Sequence, residues 1–101
     1  MTPEVFTPDN DGDKDYTFIN YKFSETGYTI NIRIYDANGR EIRNLVRNEL
    51  LGSEGKFQWD GVDNENQKAR IGIYIVYMEV FNLSGKVKKF KKQVVLGAKL
   101  Y

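Results

Sequence analysis

The sequence predicts an all-β domain, read most simply as an antiparallel β-sandwich with little or no helix, and three observations carry that prediction. The dominant hydrophobic period is two rather than 3.6, short strand-like runs recur at roughly even spacing, and Gly-containing turn signals separate them. The chain has 101 residues, 41% of them apolar or aromatic. That length supplies one hydrophobic core and not two, so residues 1–101 read as a single domain.

The elements follow in order. The opening Met1-Thr2-Pro3-Glu4 reads as the start of a domain excised from a longer protein, with an added initiator methionine, and it leads into a turn-rich stretch. A short strand fits Tyr16–Phe23. The clearest strand is Tyr28–Tyr35, where Ile30, Ile32 and Ile34 share one face and Asn31 and Arg33 the other. Residues 41–50 are ambiguous: Ile42, Leu45, Val46 and Leu50 fit a helical stripe, yet Gly39 sets up a return hairpin. A strand followed by an irregular loop is the favoured reading. Another short strand fits Lys56–Trp59. The run Gly72–Phe81 is rich in β-branched and aromatic residues and apolar on both faces until Glu79, as a central strand would be. Lys86–Leu96 is the last strand. Asp36-Ala-Asn-Gly39 and Asn82-Leu-Ser-Gly85 sit between strands, each with a Gly placed to take positive φ at a hairpin bend. Their flanks match at an offset of 46 residues, as two similar hairpins or as convergent turn chemistry.

Composition excludes a good deal of chemistry. There is no cysteine and no histidine, which removes imidazole bases, thiol nucleophiles, disulfides and nearly all zinc sites. Net charge is +1, but the ends differ. Residues 1–20 carry five acids against Lys14, whereas residues 82–101 carry six lysines and no acid. No run approaches the roughly 18 apolar residues of a membrane span, and the start lacks the layout of a secretory signal.

The run Ile34-Tyr35-Asp36-x-x-Gly39-Arg40-x-Ile42-Arg43-x-Leu45-Val46, then Gly55-x-Phe57-x-Trp59-Asp60-Gly61-x-Asp63, then Gly72-Ile73-Tyr74 resembles the Ig-like domain of the flagellar hook-capping protein (FlgD-like). Phe6-Thr7-Pro8-Asp9-Asn10-Asp11-Gly12 is similar to the start of related C-terminal domains of Bacteroidetes, the gliding-motility-associated and type IX secretion sorting families. Asn66 stands where these families usually have Gly, a change that Asn tolerates because it visits the left-handed region. Ile71 stands where Pro or a small residue is usual. The resemblance implies an Ig-like sandwich of about seven strands, an accessory module of an exported protein without enzymatic activity.

Asp9, Asp11, Asp13 and Asp15 alternate through a Gly-containing loop. Alternating carboxylates can converge on calcium, which takes six to eight oxygen ligands. Gly12 falls at the fourth position of that pattern rather than the sixth, and Asn20 stands where a bidentate Glu would be needed, so the loop is not an EF-hand. The competing reading is an Asx-turn loop. Lys86, Lys88, Lys89, Lys91 and Lys92 surround Val87 and Phe90. Such a strand could hold nucleic acid, an anionic glycan or a lipid headgroup, but a lysine-protected edge is favoured. Trp59, the only tryptophan, reads as a core anchor beside Phe57, with a sugar-stacking platform as the alternative. Asp60 and Asp63 lack a cleft to serve as glycosidase carboxylates, and Ser24, Ser53 and Ser84 have no histidine partner, so no catalytic residue is named and an enzyme is not expected.

The expected function is therefore a non-catalytic, extracytoplasmic accessory, spacer or sorting module of a secreted or cell-surface protein, presenting its C-terminal strand to export machinery or a neighbouring domain. The alternative is a carbohydrate- or matrix-binding module. The expected partners are protein, with no nucleic acid and no membrane span, and the chain is expected to be a monomer. The cofactor expectation is none beyond calcium in the Asp9–Asp15 loop.

Overall fold

The computed structural model describes residues 5–8, 15–24 and 26–97, and all its regular elements are strands. They are β1 (Val5–Phe6), β2 (Thr17–Lys22), β3 (Thr29–Asp36), β4 (Glu41–Leu50), β5 (Glu54–Trp59), β6 (Gly72–Phe81) and β7 (Val87–Leu96). One sheet has the order β1-β7-β6-β3-β4, and the other pairs β2 with β5. Two sheets facing each other bury one face of each, which is the sandwich solution expected for period-two strands.

The core follows from that alternation. Ile30, Ile32 and Ile34 of β3 and Tyr74, Val76, Met78 and Val80 of β6 are buried on the inner face of the large sheet, joined by Val94 and Leu96 of β7. Thr17, Ile19 and Trp59 close over them from the small sheet. Phe6 of β1, Val46 of β4 and Leu51, just after β4, complete the cluster. Each large apolar side chain removed from water in this way contributes about 1.5–3 kcal/mol. As its two-sided apolar pattern predicts, β6 lies at the middle of its sheet, paired with β3 along Asp36↔Tyr74 to Thr29↔Phe81 and with β7 along its full length.

Three features differ from the sequence reading. Residues 41–50 are strand throughout rather than strand then loop. Three register shifts against β3 bulge β4 but do not end it, and Asn48 takes φ 47° while its N–H donates to Asn31 Oδ1 at 2.9 Å. Each bulge bends the strand while keeping Val46 directed inward. The turn-rich opening also contains β1, and β1 runs parallel to β7, through Val5↔Val95 and Phe6↔Leu96. The Gly97 N–H extends this ladder to Phe6 O at 2.9 Å. Finally, β5 begins at Glu54, so Gly55 lies inside a strand opposite Tyr21. A Cβ at Gly55 would fall 2.7 Å from Tyr21 Cζ, and the glycine is what lets the tyrosine ring lie across the ladder.

Candidate functional site

The Trp59–Asp63 motif builds the end of the sandwich where β1 meets the last residues of β7. Trp59 is fully buried, with Phe6 at 5.4 Å and Tyr74 at 5.3 Å between ring centroids. Its indole N–H donates to Val62 O at 2.9 Å, satisfying the single polar group of the ring. Gly61 has φ 82°, and a Cβ there would stand 2.9 Å from Pro8 Cγ and 3.0 Å from Leu96 Cδ1. The motif is therefore a piece of packing. The anchor reading of Trp59 holds, and the ring offers no surface to a sugar.

Asp63 is a turn residue. Its Oδ1 accepts the N–H groups of Glu65 and Gln67, both at 2.9 Å, and its carbonyl accepts Asn66 N–H at 3.1 Å. The same arrangement recurs at Asp36, which accepts from Asn38 and Arg40, and at Asn82, which accepts from Ser84 and Lys86. Gly39 at φ 84° and Gly85 at φ 85° hold the left-handed position in two of these turns, and Asn66 at φ 62° holds it in the third. The left-handed conformation expected of Asn66 in place of Gly is the one it adopts, and the third turn repeats the device of the two hairpins.

The third turn is docked on the outer edge of β4. Arg43 Nη1 donates to Asp63 O at 3.0 Å, Asn44 N–H to Asn64 Oδ1 at 2.8 Å, and Asn64 N–H to Ile42 O at 3.0 Å. A bulged strand covered by a loop is a poor template for another strand. Asp60 and Asp63 are thus spent on local backbone geometry, Asp60 Oδ1 receiving Val62 N–H at 3.4 Å.

A cavity of about 400 Å³ opens beside this turn, between the Asp36 hairpin and the segment leading to β6. Its one acid with a displaced pKa, Asp36, is held below the usual carboxylate range by the Arg40 backbone N–H first, then the Arg40 side chain and the Asn38 N–H. Tyr74 donates its hydroxyl to Arg70 O, four residues upstream, the tyrosine-corner contact of Ig-like sandwiches. Burial, helped by the negative charge of Asp36, raises its phenol above the ordinary value. Both groups are structural.

Of the proposed calcium ligands, Asp9, Asp11 and Asp13 lie outside the described residues; Asp15 is half-buried just before β2. Among the described residues no three carboxylates converge.

The lysine strand is where exposure and chemistry coincide. Lys86, Lys88, Lys89, Lys91 and Lys92 are all exposed. The inner face of β7 carries Lys88, Phe90 and Lys92 in phase with buried Val94 and Leu96. Opposite them on β6 stand Val80, Met78 and Val76, all buried. Cover by the small sheet therefore stops at the boundary between β6 and β7. The result is a groove of about 220 Å³ between β2 and β7, lined by Ile19, Tyr21, Phe23, Met78, Val80 and Phe90 and flanked by Lys22 and Lys92. Period-two reading from Val94 and Leu96 backwards could have placed Phe90 on the inner face; its exposure depends on the small sheet having two strands among the described residues. On the outer face, Arg33 lies 3.6 Å from Glu41 and 3.7 Å from Glu79, and Lys91 stands 6.0 Å over the ring of Tyr77.

Fold and site together define an Ig-like β-sandwich whose motif residues serve packing and turns. The chain belongs to the CHU_C type IX secretion signal domain family, whose model matches residues 1–96. Among solved structures it is similar to FlgD from P. aeruginosa, with TM-score 0.62 and 17% identity over 81% of this chain. It is also similar to FlgD from Xanthomonas campestris, described as a hook-capping protein essential for flagellar assembly, with TM-score 0.60 and 23% identity over 82% of this chain. The matches span 63% and 59% of those two chains. A search of the curated proteins returned no match. These likenesses establish the sandwich fold and the secretion-signal family.

Proposed function

We propose that the chain is a C-terminal sorting module of an exported protein, working by presentation: a rigid sandwich holds its last strand in a fixed setting for the export machinery. The observation that supports this most is the secretion-signal match over residues 1–96, which ends where β7 ends. In that strand Val94 and Leu96 are buried, Val94 paired with β6 and Leu96 with both β6 and β1, while the lysines upstream face water. A strand with one end locked in the core and the other end bare suits a recognition element, because its geometry is set before any partner arrives. On this reading the parent protein is secreted or carried at the cell surface, and the module contributes no catalysis.

The test is a reporter with its own signal peptide, fused ahead of residues 1–101 in a type IX-competent host. Export beyond the outer membrane is expected. Retention equal to that of the unfused reporter would overturn the proposal.

The oxygen-ligand reading of Asp9, Asp11, Asp13 and Asp15 belongs to the same proposal, since exported domains meet millimolar calcium. The expected outcome is a rise in melting temperature with millimolar calcium that EDTA reverses; an unchanged melting temperature would retire the site.

A further inference from the structure

We propose that the bare edge of β7 and the groove beneath it form a docking site for an extended, acidic polypeptide segment of a partner protein, which adds as a strand beside Val87–Gln93 and seats one apolar side chain against Phe90. β7 pairs with β6 from end to end, but with β1 only at Val95 and Leu96. Among the described residues, no strand lies on the other side of Val87–Gln93. Alternate residues of that stretch turn their backbone N–H and C=O away from β6, and an added strand pairs with them. Directly below lies the groove between β2 and β7. Phe90 at its mouth is 41% exposed, although its cross-strand neighbour Met78 is buried.

Charge selects the occupant. Residues 82–97 contain five lysines and no acid, and the lysines fall on both faces of the strand. Glu79, opposite Lys89, already faces Arg33 at 3.7 Å. An incoming strand therefore meets uncompensated positive charge whichever face its own side chains take. Two copies of β7 edge to edge would set lysine against lysine, so the same charges that favour an acidic strand disfavour self-pairing. The flanks of the chain's own acidic stretch lie elsewhere: Pro8 stands at Gly61, and β2 begins opposite Trp59, toward the Leu96 end of β7. The matching ligand chemistry alternates Asp or Glu with Val or Phe. Edge, groove and charge suffice for this docking, whether or not the chain serves in sorting.

The test is titration of the isotope-labelled 101-residue chain with a synthetic peptide of about ten residues, long enough to span the free edge at ~3.4 Å per residue. The peptide alternates Glu with Val and carries one central Phe. The expected result at ~100 mM salt is saturable binding with slowed amide exchange confined to residues 87–93. Phe90→Ser and the double variant Lys88→Glu/Lys92→Glu should each weaken binding about tenfold or more, and Lys68→Glu, on the turn remote from the groove, should leave it unchanged. Both β7 variants alter exposed residues, and unchanged amide spectra elsewhere verify their folding. The proposal is overturned if a Glu/Gly peptide lacking apolar side chains binds equally well, if Phe90→Ser has no effect, if exchange at 87–93 is unaltered, or if the free chain associates with itself through β7.

Discussion

Gly61 shows why single residues of the Trp59–Asp63 motif cannot be exchanged. The position needs a left-handed backbone and has Pro8 and Leu96 pressed against it. Gly61→Ala therefore adds backbone strain to steric overlap, and urea unfolding should show a loss of about 2 kcal/mol or more. Asn66 also has positive φ, but its turn is exposed, and only strain acts there. Asn66→Ala should cost about 1 kcal/mol and Asn66→Gly close to nothing, measured in the same way. If Ala and Gly behaved alike at position 66, the turn would not have the conformation described.

At the scale of elements, three Asx-capped turns and two kinds of strand carry the fold. Asp36 differs from Asn82 in being ionisable, and its carboxylate is stabilised by the N–H groups and side chain around it. A carboxyl with a depressed folded pKa contributes stability that is present above its ordinary value near ~3.9 and is lost as pH falls through the folded pKa. Asp36→Asn keeps the acceptor oxygen that Asn82 uses and removes the titration. The stability difference between parent and variant should therefore shrink as pH is lowered below about 4, as followed by thermal melts; a difference independent of pH would contradict the assignment.

The strands also show what was legible in the sequence. β3 and β6 could be read directly because alternation is a local property, and Ile30, Ile32 and Ile34 fall on the buried face as their spacing requires. β1 could not, since two residues become a strand only by pairing with the far end of the chain. β4 was half legible: its helical-looking stripe is the trace of bulges, which shift register without ending the strand. The lysine strand was correctly read as exposed, but the groove behind Phe90 was hidden, because it depends on how few strands the opposite sheet has. The Asp-rich loop falls largely outside the described residues and stays a proposal about calcium.

For the whole molecule, absence of Cys and His leaves packing to hold the sandwich together, and the charge asymmetry acquires a structural location. β7 is anchored in the core at Val94 and Leu96 and basic and open at its other end. If the chain sorts as proposed, the folded sandwich, and not a linear tail, is what the export machinery receives. The most direct measurement is the fraction of reporter recovered outside the outer membrane when it carries residues 1–101, compared with residues 82–101 alone. Export by the full domain and retention with the tail is expected. Equal export by both would contradict it.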